Sequence, residues 1–137
     1  MRVMLDTNIL IDAFIDRGHY SIYAAGVFTL IANRFADAFI APHSLSNFYY
    51  VLRNDIPDSR RRDIIKCICE LATVVPVDNR IIDDALSETR ITDIEDSLQY
   101  ACAKAVDAEC IVTRDTSCFK DMEIKALTAQ EAFWYIE

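Results

Sequence analysis

Three carboxylates in this chain stand where strands end or a helix begins. Asp6 closes the apolar run Arg2-Val3-Met4-Leu5 and leads at once into Thr7-Asn8. Asp115 follows the run Cys110-Ile111-Val112-Thr113 after a single arginine, Arg114. Asp96 belongs to the cluster Asp93-Ile94-Glu95-Asp96, which opens a helix just before that second run. In open α/β folds, ligands bind in the crevice outside the carboxyl ends of the strands. Carboxylates gathered there repel one another. A hard divalent cation removes that repulsion: Mg²⁺ takes one or two carboxylates with waters and substrate phosphate, and Mn²⁺ suits the same ligands. Each acid also has an ordinary reading. Asp6 suits a helix cap, Asp115 a turn, and Asp93 and Asp96 the positive end of a helix. The conjunction of the three positions is what points to a cation.

Other chemistries find little support. The chain has no glycine-rich phosphate loop and no G-x-S-x-G elbow. His19 and His43 lack metal-ligand spacing and read as loop or helix-start residues. Cysteines at 67, 69, 102, 110 and 118 are odd in number and lack zinc spacing, so they read as reduced thiols. A net charge of −8 opposes non-specific binding to nucleic acid. Bound cations would offset part of it locally. Arg60, Arg61, Arg62 and Lys66 cluster in one segment. They form a solvated helix face or phosphate contacts, and Arg114 is a further candidate for a phosphate. Phe133, Trp134 and the pair Tyr49-Tyr50 read as core or interface residues.

The elements that must position the acids follow from periodicity. Strands are expected at 2–5, 38–41, 73–77, 110–113 and 124–127. Helices are expected at 7–15, 20–34, from Ser44 to about Arg53, 59–71, 79–87, 93–106 and from 128 onward. Ser44 reads as a helix cap, with Asn47 three residues on as its partner. Thr92 with Glu95, and Thr128 with Glu131, match capping boxes. Strands alternating with helices imply a parallel sheet with right-handed crossovers. The N-terminal strand, the most uniformly apolar, should be central.

The chain has 137 residues, 53% of them hydrophobic, with two Gly and three Pro. These values describe one α/β domain spanning residues 1–137, without linkers or repeats. Its apolar runs fall short of the roughly 20 residues that cross a membrane, and its first residues lack a signal peptide's apolar stretch. A cytoplasmic location without membrane partners is the expectation.

At this point the residues resemble the PIN domain family. Met4-Leu5-Asp6-Thr7-Asn8-Ile9-Leu10-Ile11-Asp12 is similar to its N-terminal signature. The segment 93–101 resembles its third motif, with Asp96 at the catalytic aspartate. The segment 111–119 resembles the fourth, with Asp115 at the last acid. The family's second acid is usually Glu, and Asn47 stands in that place. Cys118 replaces a carboxylate often seen near the fourth motif.

The resemblance implies a three-layer α/β/α domain with about five short, mostly parallel strands. It implies an Mg²⁺- or Mn²⁺-dependent endoribonuclease that leaves a 5′-phosphate and a 3′-hydroxyl. Asp6, Asp96 and Asp115 would bind the metal, and Asn47 would ligate through its carbonyl or hold a metal-bound water. Asn8 and Thr113 would orient ligands, and Asp93 or Glu95 would compensate from outside. Small PIN proteins of the VapC-like group are toxins that form homodimers and are silenced by a small antitoxin. Two other readings stay open: a PIN-like module that binds RNA or protein without cutting, and a phosphate-accepting response-regulator-like domain. The second fits poorly, because Pro42-His43 and Val77-Asp78 follow the middle strands and no lysine follows Thr113.

Overall fold

A computed structural model describes residues 1–137. Five strands form one parallel sheet: β1 (Arg2–Leu5), β2 (Asp37–Ile40), β3 (Ala72–Val74), β4 (Cys110–Val112) and β5 (Lys125–Leu127). Their order is β3-β2-β1-β4-β5, so β1 is central as its composition suggests. Leu5 pairs with Ile40 on one side and Val112 on the other, which brings three strand ends level. Val75, Pro76 and Val77 lie beyond β3, which is shorter than the β-branched run.

Seven α-helices flank the sheet: α1 (Thr7–Phe14), α2 (His19–Ala32), α3 (Pro42–Val51), α4 (Asp58–Leu71), α5 (Asn79–Ser87), α6 (Ile94–Ala105) and α7 (Ala129–Ile136). Alternation along the strands sorts them into layers. Val3, Leu5, Cys110 and Val112 face the core shared with α1, α2, α3, α4 and α7. Met4 and Ile111 face the opposite core, filled from α6 by Tyr100, Cys102 and Ala103. On the first side Gly26 of α2 lets Phe133 of α7 approach; a Cβ there would meet the ring at 2.9 Å. No helix is long and apolar enough to cross a membrane. Cys102 and Cys110 are buried free thiols, each pushed up to about 11 by burial.

Local signals set most helix starts, and two differ from expectation. Ser44 does not cap α3. That helix starts at Pro42, whose missing N–H and fixed φ suit the first helical position, with Ala41 before it. Ser44 is instead buried inside α3, its hydroxyl facing Gln99 Oε1 at 3.5 Å. Thr92 does not cap α6; Asp93 does, accepting from the amides of Glu95 and Asp96 at 2.8 and 3.2 Å. The Thr128–Glu131 capping box of α7 forms as expected. One element had no sequence expectation, a 3-10 turn over Thr116–Phe119 capped by Asp115.

Candidate active site

Asp6 extends the central ladder one step past β1, its amide donating to Val112 O at 3.0 Å. Its carboxylate accepts from the amide of Thr7 at 2.7 Å and from the hydroxyl of Thr113 at 2.8 Å. The same Thr113 oxygen accepts from the amide of Asp115 at 3.2 Å, so one hydroxyl ties the two strand-end acids together. Thr113 is fully buried, which fixes that link.

Asp115 accepts from the Ser117 amide at 3.2 Å, from the Ser117 hydroxyl, and from the Cys118 thiol at 3.3 Å. The Ser117 hydroxyl, then the Cys118 thiol, hold the Asp115 carboxyl below the usual carboxylate range. The Cys118 thiol also faces Asp96 closely enough for each to affect the other's proton affinity. Burial first, then these two carboxylates, push the thiol up to about 12, so it keeps its proton at neutral pH.

Asp96 completes the group from the first turn of α6. Burial raises its carboxyl above the usual range, the Cys118 hydrogen bond opposes this, and repulsion from Asp93, Asp6 and Asp115 adds to it. Asp6, Asp96 and Asp115 thus lie at one end of the sheet, near enough for their charges to act on one another. None of them has an ion-pair partner among the Lys and Arg side chains.

Gln99 supports the arrangement from α6. It is buried, and its amide donates to Leu5 O at 3.1 Å, next to Asp6. Asn8 follows Asp6 in the first turn of α1 and is half-buried. Asn47 donates from α3 to Glu95 Oε2 at 3.2 Å. It is not the partner of Ser44, which faces Gln99 instead. His43 sits beside this contact. Burial lowers its pKa against the opposing fields of Glu95, Asp6 and Asp93, and its Nδ1 has no partner.

The oxygen donors fit a hard divalent cation: carboxylate and amide oxygens with uncompensated negative charge. No three of these side chains are closed around a common point. Carboxylates that repel stand apart, and drawing them in is the work a cation would do.

Residues 2–117 match the family model described as PIN domain. The chain belongs to the PIN domain family. It is 29% identical to Ribonuclease VapC1 of Aquifex aeolicus (strain VF5) over 137 residues, covering 95% of this chain and 92% of that protein. Its fold is similar to VapBC2 from Rickettsia felis, solved bound to a promoter DNA fragment. The TM-score is 0.71 at 16% identity, covering 93% of this chain and 98% of that one. It is also similar to Mycobacterium tuberculosis VapC20, described as a Sarcin-Ricin loop cleaving toxin. There the TM-score is 0.66 at 13% identity, covering 82% and 89%. At such identities the two structures speak to the fold, which is the α/β/α arrangement expected.

The basic residues of this PIN domain are placed differently from one another. Arg60 is exposed on α4. Arg62 is exposed and pairs with Asp58 at 2.9 Å. Arg61 is 8% exposed, donates to Tyr49 O at 2.8 Å and lies over the Tyr49 ring. It joins α3 to α4 and is turned away from solvent phosphate. Arg114 is paired with the buried Asp12. Two residues escaped the sequence reading: His43 and Gln99. A polar Gln99 among Leu98, Tyr100 and Ala101 was the one visible signal.

Proposed function

We propose that this PIN domain is a divalent-metal-dependent endoribonuclease of the VapC toxin type. The observation that carries this reading is the convergence of Asp6, Asp96 and Asp115 with no ion-pair partner. The family and the ribonuclease relative support it. Asp6, Asp96 and Asp115 would hold Mg²⁺ or Mn²⁺. The chemistry such an ion would supply there is activation of water and neutralisation of charge on the phosphoryl oxygens.

The chain's own residues set the geometry. Thr113 aims Asp6, and Gln99 fixes the end of β1. Cys118 donates its proton to Asp115, steadying that carboxylate beside Asp96. Asp93 caps α6 and so orients its first turn, while Asn8 lies beside Asp6. Arg60 and Arg62 are the exposed candidates for contact with the RNA backbone. A small antitoxin and a second copy of the chain are the proposed protein partners. Exposed Ile22 and Trp134, at 70% and 60%, offer apolar surface for them.

The test is incubation of a labelled RNA pool with the purified chain in Mn²⁺, Mg²⁺ or EDTA. Cutting that needs either metal supports the reading; intact RNA from folded, inhibitor-free protein rejects it.

The neutral Asn47 bears on a second reading, a binding module that does not cut. Here the Asn47–Glu95 contact matters, because it delivers a carboxylate from α6 to the place where α3 carries an amide. Glu95→Gln is expected to weaken Mn²⁺ binding by roughly ten-fold, the scale of supporting ligands. Asn47→Glu in that background is expected to recover it. Calorimetric Mn²⁺ titration checks both, and unchanged affinity in Glu95→Gln would remove Glu95 from the site.

A further inference from the structure

Arg114 lies between two site residues in sequence, yet it serves a different place. It meets Asp12, which is 2% exposed, and Arg17 reaches the same carboxylate at 3.5 Å. Two guanidinium groups on one carboxylate leave a surplus positive charge, in a chain whose net charge is −8. The Arg114 pairing uses Nη2, and Nε has no partner in the protein. Its guanidinium lies 4.4 Å from the centre of the Tyr20 ring, and Tyr20 in turn packs on His19 with centroids 4.2 Å apart.

Asp12, Arg114, Tyr20 and His19 line a cavity of about 160 Å³, closed on another side by Thr128 and Gln130 at the start of α7, while Arg17 acts on it only through Asp12. The capping box there engages the amide of Glu131, not those of Ala129 and Gln130. Cationic and aromatic walls together match a nucleotide: the guanidinium and helix start favour its phosphate, and the rings favour its sugar or base. Consecutive Cα atoms are about 3.8 Å apart, so Arg114 adjoins Asp115 at the acid site.

We propose that this cavity is a subsite for one RNA nucleotide flanking the scissile phosphate, its phosphate on Arg114 and its ring against Tyr20 and His19. The proposal rests on the ribonuclease reading of the neighbouring acids. It gives an acidic protein a local means of gripping a polyanion next to its own negative site.

Gln130 provides the test, because it is exposed at the cavity rim and at the second position of α7. A carboxylate is favoured there by the helix dipole, so Gln130→Glu should leave the fold as stable or more so. The same charge faces the incoming phosphate. Anisotropy of a labelled single-stranded RNA dodecamer in EDTA separates binding from cutting. Gln130→Glu is expected to weaken binding on the order of five-fold and to make the salt slope shallower by about one. Gln130→Lys should tighten it, and Tyr20→Leu should weaken it. Uridine 5′-monophosphate should displace the RNA at concentrations where inorganic phosphate does not; equal displacement by both would reduce the cavity to a bare anion site and overturn the nucleotide assignment. Wild-type affinity in both Gln130 variants, or no RNA binding at all by wild type in EDTA, would also overturn it. A protein that shows the Gln130 pattern yet never cuts RNA with any metal would sink the ribonuclease reading and leave the subsite standing.

Discussion

Asp96→Asn is expected to abolish metal-dependent cutting of RNA and, in EDTA, to raise the melting temperature. The loss of activity should reach at least about a hundred-fold, since even supporting partners of a metal site reach that scale. The gain in stability follows from what surrounds the carboxylate. Burial and the charges of Asp93, Asp6 and Asp115 disfavour its ionised form, and the Cys118 hydrogen bond offsets this only in part. An asparagine keeps the shape of the side chain and removes the charge.

The sign with pH is fixed by the direction of the shift. The folded protein binds this proton more tightly than the unfolded chain does. Stability withheld by Asp96 is therefore lost in full above the raised folded pKa, and it returns as pH falls from there toward the ordinary value of 3.8. The gap between variant and wild type should close across that window. One opposing effect exists: Asp96 lies in the first turn of α6, where the helix dipole favours a negative charge. Melting curves between acid and neutral pH decide which wins. A variant that melts below wild type at neutral pH would mean that the charge serves the helix more than it strains the site.

Arg114→Ala should cost about 2 kcal/mol, short of the roughly 3–5 kcal/mol of a buried charge left with no partner at all. Asp12 is almost fully buried on α1. With Arg114 gone, Arg17 at 3.5 Å is the remaining cation, and Arg17 is itself partly exposed. The packing of the guanidinium on Tyr20 goes as well. Domains of this kind are stable by only about 5–15 kcal/mol, so the variant should unfold at distinctly lower urea. Asp12→Asn is the companion measurement. It removes the buried charge, so adding Arg114→Ala on top of it should cost far less than Arg114→Ala alone. Equal costs in both backgrounds would show that the pair is not coupled. These expectations are why Arg114 itself is a poor probe of the neighbouring cavity.

The acids were legible in the sequence because their positions carry two kinds of information at once. Asp6 and Asp115 follow apolar runs that can only be strands, and Asp96 opens a helix with strong period. In a parallel sheet all three must lie at one end, and the structure places them there. The misread cap of α3 had a local cause. Ser44 is a good cap by type, but Pro42 two residues earlier already starts the helix, and the serine becomes a buried contact. At α6 two cap-capable residues are adjacent, and Asp93 is the one whose carboxylate reaches the free amides.

Long-range partners were not legible. The Asn47–Glu95 contact, the Cys118 thiol beside Asp96, and the imidazole of His43 near Asp6 depend on how α3, α6 and the turn after β4 pack. Three consecutive arginines also look alike in sequence. Only the packing of α3 on α4 decides that Arg61 turns inward while Arg60 and Arg62 stay outside.

The strand order has a consequence for how such a protein is made. β4, which leads to Asp115, adds beside β1 only after six helices and three strands have preceded it in the chain. A ribosome part-way through synthesis therefore carries Asp6 and Asp96 without their third companion. If the assembled centre cuts RNA, the growing polypeptide is harmless to the message and the machine producing it. Truncated products ending before Asp115 would be equally inert, so cutting could begin only once β4 and Asp115 have been made and added beside β1.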